Sequence, residues 1–206
     1  MSPRVTPARV VLATRNVGKV AELRRILAGG LDIELVGLAG FPAVGEIAET
    51  GVTFAENALI KAAAVAELTG LPAVADDSGL CVDALNGMPG VLSARWAGRH
   101  GDDQANLTLL LGQLADVPPD RRGAHFACAA AAVVPGRGHR LAEGTVVGHL
   151  LDRPRGSNGF GYDPIFVPSG AERTTAEMTA ADKDAISHRG KAFGALVPLL
   201  AELLDQ

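Results

Sequence analysis

Residues 71–79, Leu-Pro-Ala-Val-Ala-Asp-Asp-Ser-Gly, constrain the fold more than any other stretch. A short apolar run delivers two adjacent carboxylates, a hydroxyl and a glycine. Such a run reads as a buried strand ending in a turn, with the turn carrying the charge. Open α/β sheets place chemistry at the C-terminal ends of strands, so a site is expected here. Successive side chains on an extended backbone point to opposite faces, so only one of Asp76 and Asp77 is expected to face a ligand. A carboxylate so placed can hold Mg²⁺, take a proton from water, or do both. A solvated Asx-turn is the bland reading of the same residues.

The segments before this stretch alternate strand and helix. Val10-Val11-Leu12-Ala13 reads as a first buried strand. Thr14-Arg15-Asn16-Val17-Gly18-Lys19 follows as a polar loop. Val20, Leu23, Ile26 and Leu27 then recur at helical spacing, with a stop expected at Gly29-Gly30. Asn16 is a natural N-cap, and the helix start with Lys19 one turn in would attract an anion. A second strand is expected over 33–38, then a loop carrying Glu46 and Glu49. Thr53 and Glu56 match a capping box, opening a helix that stops at Gly70. Asn57 and Lys61 share a face of that helix. Lys61 reads either as a solvated lysine or as a second cation aimed at phosphates. Glu49 reads either as a plain loop acid or as a metal ligand.

Beyond the acidic stretch, a turn cluster spans 86–90, and 102–114 reads as an amphipathic helix. Trp96 is expected to anchor the core, with a nucleotide-facing Arg95–Trp96 pair as the alternative. The second half changes character. Residues 124–134 and 139–151 flank Pro-Gly-Arg-Gly and read as an antiparallel ribbon, apart from the βα units. Residues 118–123 are the candidate junction. His125, His139 and His149 show no ligand spacing. The loop 155–164 holds three glycines with Phe160 and Tyr162; it reads as a base-binding loop or as an ordinary glycine-rich turn. Residues 175–205 are expected to be largely helical, with a kink at Pro198. Ser187 would cap a helix whose first turn holds His188 and Arg189. The macrodipole disfavours cations at that end, so an electron-rich partner such as a purine O6 or a phosphate is expected.

Bulk properties narrow the class. The chain has 206 residues, 48% hydrophobic and 20% charged, enough for a sizeable core. Its net charge of -4 argues against a nucleic-acid footprint. The two cysteines, Cys81 and Cys128, lack metal spacing and read as buried thiols of a reducing compartment. Residues 1–8 show no signal pattern, and no apolar run reaches about 18 residues. A cytoplasmic protein is therefore expected.

Taken in order, Thr14-x-Asn16-x-x-Lys19, Thr53-Phe54-x-Glu56-Asn57-Ala58, Ala75-Asp76-Asp77-Ser78-Gly79-Leu80, Gly87-x-Pro89-Gly90, Ser93-Ala94-Arg95, Gly159-Phe160-Gly161-Tyr162-Asp163-Pro164 and Ser187-His188-Arg189-Gly190 resemble the noncanonical purine nucleoside triphosphate pyrophosphatases, the inosine/xanthosine triphosphate pyrophosphatase family. The resemblance covers most of the chain. It implies an elongated, two-lobed α/β fold around a mixed β-sheet with flanking helices, a cleft between the lobes, and a homodimer. The chain would be one domain over 1–206, with its second lobe at roughly 120–170. The implied reaction is Mg²⁺-dependent hydrolysis of ITP, dITP and XTP to the monophosphate and pyrophosphate. In that reading Thr14, Arg15, Asn16, Val17, Gly18 and Lys19 cradle the phosphates, with Lys61 as a further cation. Asp77 is proton acceptor and metal ligand, Glu49 a second ligand, and Ser78 touches substrate. Phe160, Gly161, Tyr162 and Asp163 hold the base. Lys183, His188 and Arg189 meet its 6-keto edge or the sugar-phosphate. Arg15 stands where many members have Gly, and Ala48 where many carry an acid linked to metal binding. Pyrophosphatases of other modified nucleotides, or a nucleotide sensor without turnover, are the competing readings.

Overall fold

The structure, a computed structural model, describes residues 7–27 and 33–205. The alternation read from the sequence is present. Strand β1 (Ala8–Leu12) leads to helix α1 (Val17–Leu27), strand β2 (Ile33–Gly37), helix α2 (Phe54–Thr69) and strand β3 (Ala73–Val82). Helix α3 (Asp103–Gln113) follows, then strands β4 (Gly123–Val134), β5 (Gly138–Leu150) and β6 (Phe166–Pro168). Helices α4 (Ala180–Ile186) and α5 (His188–Asp205) end the chain, and Pro198 lies inside α5. The stop expected at Gly29-Gly30 falls outside the described residues.

All six strands join one sheet in the order β2-β1-β3-β4-β5-β6. β1 runs parallel to both β2 and β3, and β5 antiparallel to β6. Three residues join β4 to β5, and the Arg137 amide donates to Val134 O at 3.0 Å. So short a connection permits only an antiparallel pair. The fold is therefore α/β, with helices flanking a mixed sheet. The ribbon expected to stand apart from the βα units does not: β4 is the hydrogen-bonded neighbour of β3.

A second correction concerns the acidic stretch. β3 does not end in a turn at Asp76-Asp77-Ser78-Gly79; it runs through all four residues to Val82, buried at every position but Ser78. Turn-forming residues lose to tertiary pairing here, because β3 sits between β1 and β4 in the sheet. The Asp76 carboxylate tolerates burial because the Lys19 ammonium lies 2.9 Å away.

The chain sorts into two compact units. One holds the described residues up to Asp76, Ala129–Ala142 and those from Ala192 onward; the other holds Asp77–Cys128 and Glu143–Lys191. The dividing line passes between the two adjacent aspartates. In the first unit, Ala58, Ala62, Val65 and Ala66 of α2 pack with Val11, Ala73, Ala75, Ala129 and Ala131. The capping box at Thr53 and Glu56 is formed, and Gly70 closes α2 at φ 68°, in the left-handed region that suits glycine. In the second unit, Leu107, Leu110 and Leu114 of the α3 segment pack with Leu80, Val82, Phe126, Ile165 and Phe166. Burying one such leucine is worth about 1.5–3 kcal/mol. Trp96 lies at the edge of this core and donates from Nε1 to Gln113 Oε1 at 2.8 Å. Both cysteines are buried, and neither is in a disulfide.

Candidate active site

The first unit carries the expected anion loop. Thr14 Oγ1 accepts from the Asn16 amide at 3.2 Å, and Asn16 Oδ1 accepts from the Lys19 amide at 3.0 Å. Asn16 thus caps α1, as its position suggested. The amides of Val17 and Gly18 in the first turn have no intrahelical acceptor. The Arg15 guanidinium donates to Val44 O, which ties this loop to the turn after β2. Lys19 Nζ pairs with Asp76 Oδ2 rather than standing in open solvent. Lys61 is not a solvated lysine either: its Nζ lies 2.6 Å from Glu49 Oε1, and both side chains are largely buried. Asn57 explains why Glu49 is held near α2. Its Oδ1 accepts from the Gly51 amide at 2.8 Å, and a Cβ on Gly51 would meet Glu56 Cβ at 2.6 Å. Ala48 is exposed.

The second unit carries Asp77, Ser78, the loop 159–163 and the α4–α5 junction. Ser187 Oγ accepts from the Gly190 amide at 2.8 Å and caps α5, so His188 and Arg189 occupy its first turn. Gly190 is required there, since a Cβ would meet Asp184 O at 2.3 Å. Both His188 and Arg189 are buried. Arg189 Nη2 donates to Ser78 Oγ at 2.7 Å. The guanidinium carbon also lies 5.2 Å from the Phe160 ring centroid, and Lys183 Nζ 5.1 Å from it. Two cations therefore share one aromatic ring, an attraction worth about 0.5–2 kcal/mol each.

The Asp163 carboxylate organises this group. Its Oδ2 accepts from the Phe160 amide at 2.9 Å and from Lys183 Nζ at 2.5 Å, and its Oδ1 accepts from Thr175 Oγ1 at 2.8 Å. Asp163 is thus a scaffold for Phe160 and Lys183. Tyr162 points inward: its ring is buried in the core, and its hydroxyl donates to Ser93 O at 2.9 Å. Burial, followed by the Asp103 carboxylate, pushes the Tyr162 phenol well above its ordinary pKa. Phe160 is the half-buried ring of this loop.

This arrangement offers cations beside an aromatic face and, one residue before Ser78, a buried carboxylate. A model of the Ham1 family matches residues 10–199. The chain belongs to the Ham1 family. A dITP/XTP pyrophosphatase of Streptomyces coelicolor is 64% identical over 197 residues, covering 95% of this chain and 98% of that one. The solved nucleoside-triphosphatase / dITP/XTP pyrophosphatase of Mycobacterium abscessus is 56% identical, with a TM-score of 0.75 over 92% of this chain and 99% of that one. The Staphylococcus aureus Ham1 protein is 38% identical, with a TM-score of 0.83 over 94% and 98% of the two chains.

In this Ham1 chain some supporting residues carried no sequence signal. Phe126 stacks on the His188 ring at 4.9 Å and 11°, yet it reads as one apolar residue in a strand. Thr175 and Asp103 reach the 159–163 loop from other elements. His125 is half-buried, and His139 and His149 are exposed. Among the described residues no group of three or more His, Cys, Asp or Glu could hold a metal ion by itself.

Proposed function

We propose that this chain hydrolyses ITP, dITP and XTP to the nucleoside monophosphate and pyrophosphate, in the cytoplasm, as a homodimer and with Mg²⁺. One contact carries the reading: Arg189 Nη2 on Ser78 Oγ, which joins segments 111 residues apart. It puts a purine-reading cation beside the residue that follows Asp77. Relatives known as dITP/XTP pyrophosphatases support that chemistry.

Roles follow from the donors each residue offers. The Asp77 carboxylate takes a proton from water as the water oxygen bonds to the α-phosphorus. The bond from that phosphorus to the bridging oxygen breaks, and pyrophosphate leaves. Thr14, Arg15, Asn16, Val17, Gly18 and Lys19, with Lys61, are assigned to the phosphates. Asp77 and Glu49 are hard oxygen donors of the kind Mg²⁺ takes, and Mg²⁺ uses one or two carboxylates with phosphate and water oxygens rather than a full protein cage. Those two would hold the ion, which when bound neutralises triphosphate charge. Lys183 and Arg189 donate and cannot accept, so they suit a 6-keto oxygen. Adenine's 6-amino group would leave such a donor unpaired, at a penalty of about 1–3 kcal/mol. Phe160 offers the base its face; Tyr162 and Asp163 hold Phe160 in place.

Incubation with ITP, XTP, GTP and ATP, with and without Mg²⁺, tests the reading. Rapid release of pyrophosphate from ITP and XTP, dependent on Mg²⁺ and slower from GTP and ATP, is expected. Orthophosphate as the product, or equal rates on all four, refutes it.

A further inference from the structure

Phe160 sits between two hinges that are held very differently. Gly159 and Gly161 flank it at φ 76° and 62°, a region glycine enters freely. Gly159 is hemmed in: a Cβ there would meet Asp163 Oδ2 at 2.1 Å. The Phe160 amide bonds to that same buried carboxylate, which Lys183 and Thr175 fix in turn. Gly161 has open space, and a Cβ there would meet nothing within 4 Å. Its amide donates instead to Asp103 Oδ2 at 2.8 Å, across 58 residues of chain. Asp103 is not needed as a helix cap, because Asp102 already accepts from the Ala105 amide at 3.1 Å. Tyr162, one residue further on, is anchored separately on Ser93 O. Phe160 is held at its amide and at its carbonyl, which accepts from the Asp163 amide at 3.3 Å, so Gly161 is the position of this loop with room to move.

The geometry points to Asp103 as a positioning residue for the nucleobase: by holding the Gly161 amide it locks the looser hinge and so sets the plane of the Phe160 ring. This rests on the proposed function, in which a purine stacks on that ring. A carboxylate acceptor makes the stronger class of hydrogen bond, which suits a clamp at the surface. Asp103 is exposed, so the clamp can open for a nucleotide and close over it without disturbing the core.

The full-length chain, Asp103→Ala and Asp103→Asn are compared for ITP hydrolysis and, by calorimetry, for IMP binding. Removing the acceptor raises KM for ITP and Kd for IMP by roughly fivefold with kcat unchanged, as for loss of one exposed charge-assisted hydrogen bond. Asp103→Asn falls between the parent and Asp103→Ala, because its side-chain oxygen still accepts but without the charge. Thermal melting verifies that both variants fold. Unchanged KM and Kd in Asp103→Ala, an Asn variant as impaired as the Ala variant, or a fall in kcat alone overturns the clamp. A parent chain that turns over no ITP sinks the proposed function first and takes the clamp with it, a result visible before either variant is compared.

Discussion

Adjacent aspartates divide the work of this chain. Asp76, with a fully buried side chain, pairs with Lys19, and Asp77 is the carboxylate that the proposed function assigns to water. Extended backbone forces that division, because neighbouring side chains leave opposite faces of β3. Asp77→Asn keeps the shape and removes the proton acceptor. Its kcat for ITP is expected to fall by about two to four decades; near-parent turnover would take Asp77 out of the role. Phe160 belongs to the same scale. Phe160→Ala removes the ring that both Lys183 and Arg189 face. Base–aromatic stacking is worth about 1–3 kcal/mol, so steady-state kinetics should show a matching rise in KM for ITP with kcat little changed.

At the scale of elements, capping chemistry positions the site. The Glu56 amide donates to Thr53 Oγ1 at 3.1 Å, and Glu56 Oε2 accepts from the Thr53 amide at 3.1 Å, so α2 starts at a defined residue. Lys61 and Asn57 are then presented to Glu49 and Gly51. Thr53→Ala is expected to cost about 0.5–2 kcal/mol in denaturant unfolding. A second box, Thr174 with Glu177, closes the turn before α4, and Thr174 Oγ1 donates to Arg155 O at 2.8 Å. The hydrogen bond from the Thr174 amide is the main reason that the Glu177 carboxyl titrates below its ordinary 4.5, with Arg155 and Arg173 adding to it and desolvation opposing. A lowered folded-state pKa gives stability that is present above the unfolded value and lost as pH falls through the folded one. Melting curves from pH 6 downward should therefore show a loss setting in near about 4.5 and continuing below it. Glu177→Gln should lack that component; an unchanged slope in the variant would count against the box.

Over the whole molecule, the two units divide inside β3, β4, β5 and α5 rather than at linkers. No helix among the described residues is long and apolar enough to cross a membrane. The proposed homodimer predicts a mass by light scattering of twice the 21.1 kDa chain at micromolar concentration; a monomer at all concentrations would refute it. Local signals were enough for the caps at Asn16, Thr53 and Ser187, the glycine stop at Gly70 and the alternation of β1 to β3. Each depends on a few neighbouring residues and on a period. Ordered motifs also named the family. The sequence misread the 76–79 segment as a turn and the β4–β5 ribbon as separate, because strand order depends on pairing across the chain, which no local window contains. For the same reason, only tertiary structure paired Lys19 with Asp76 and Lys61 with Glu49, turned Tyr162 into the core, and brought Asp103 to Gly161. Those contacts join residues far apart in sequence, and their energies exist only once the backbone has brought the partners within hydrogen-bond reach.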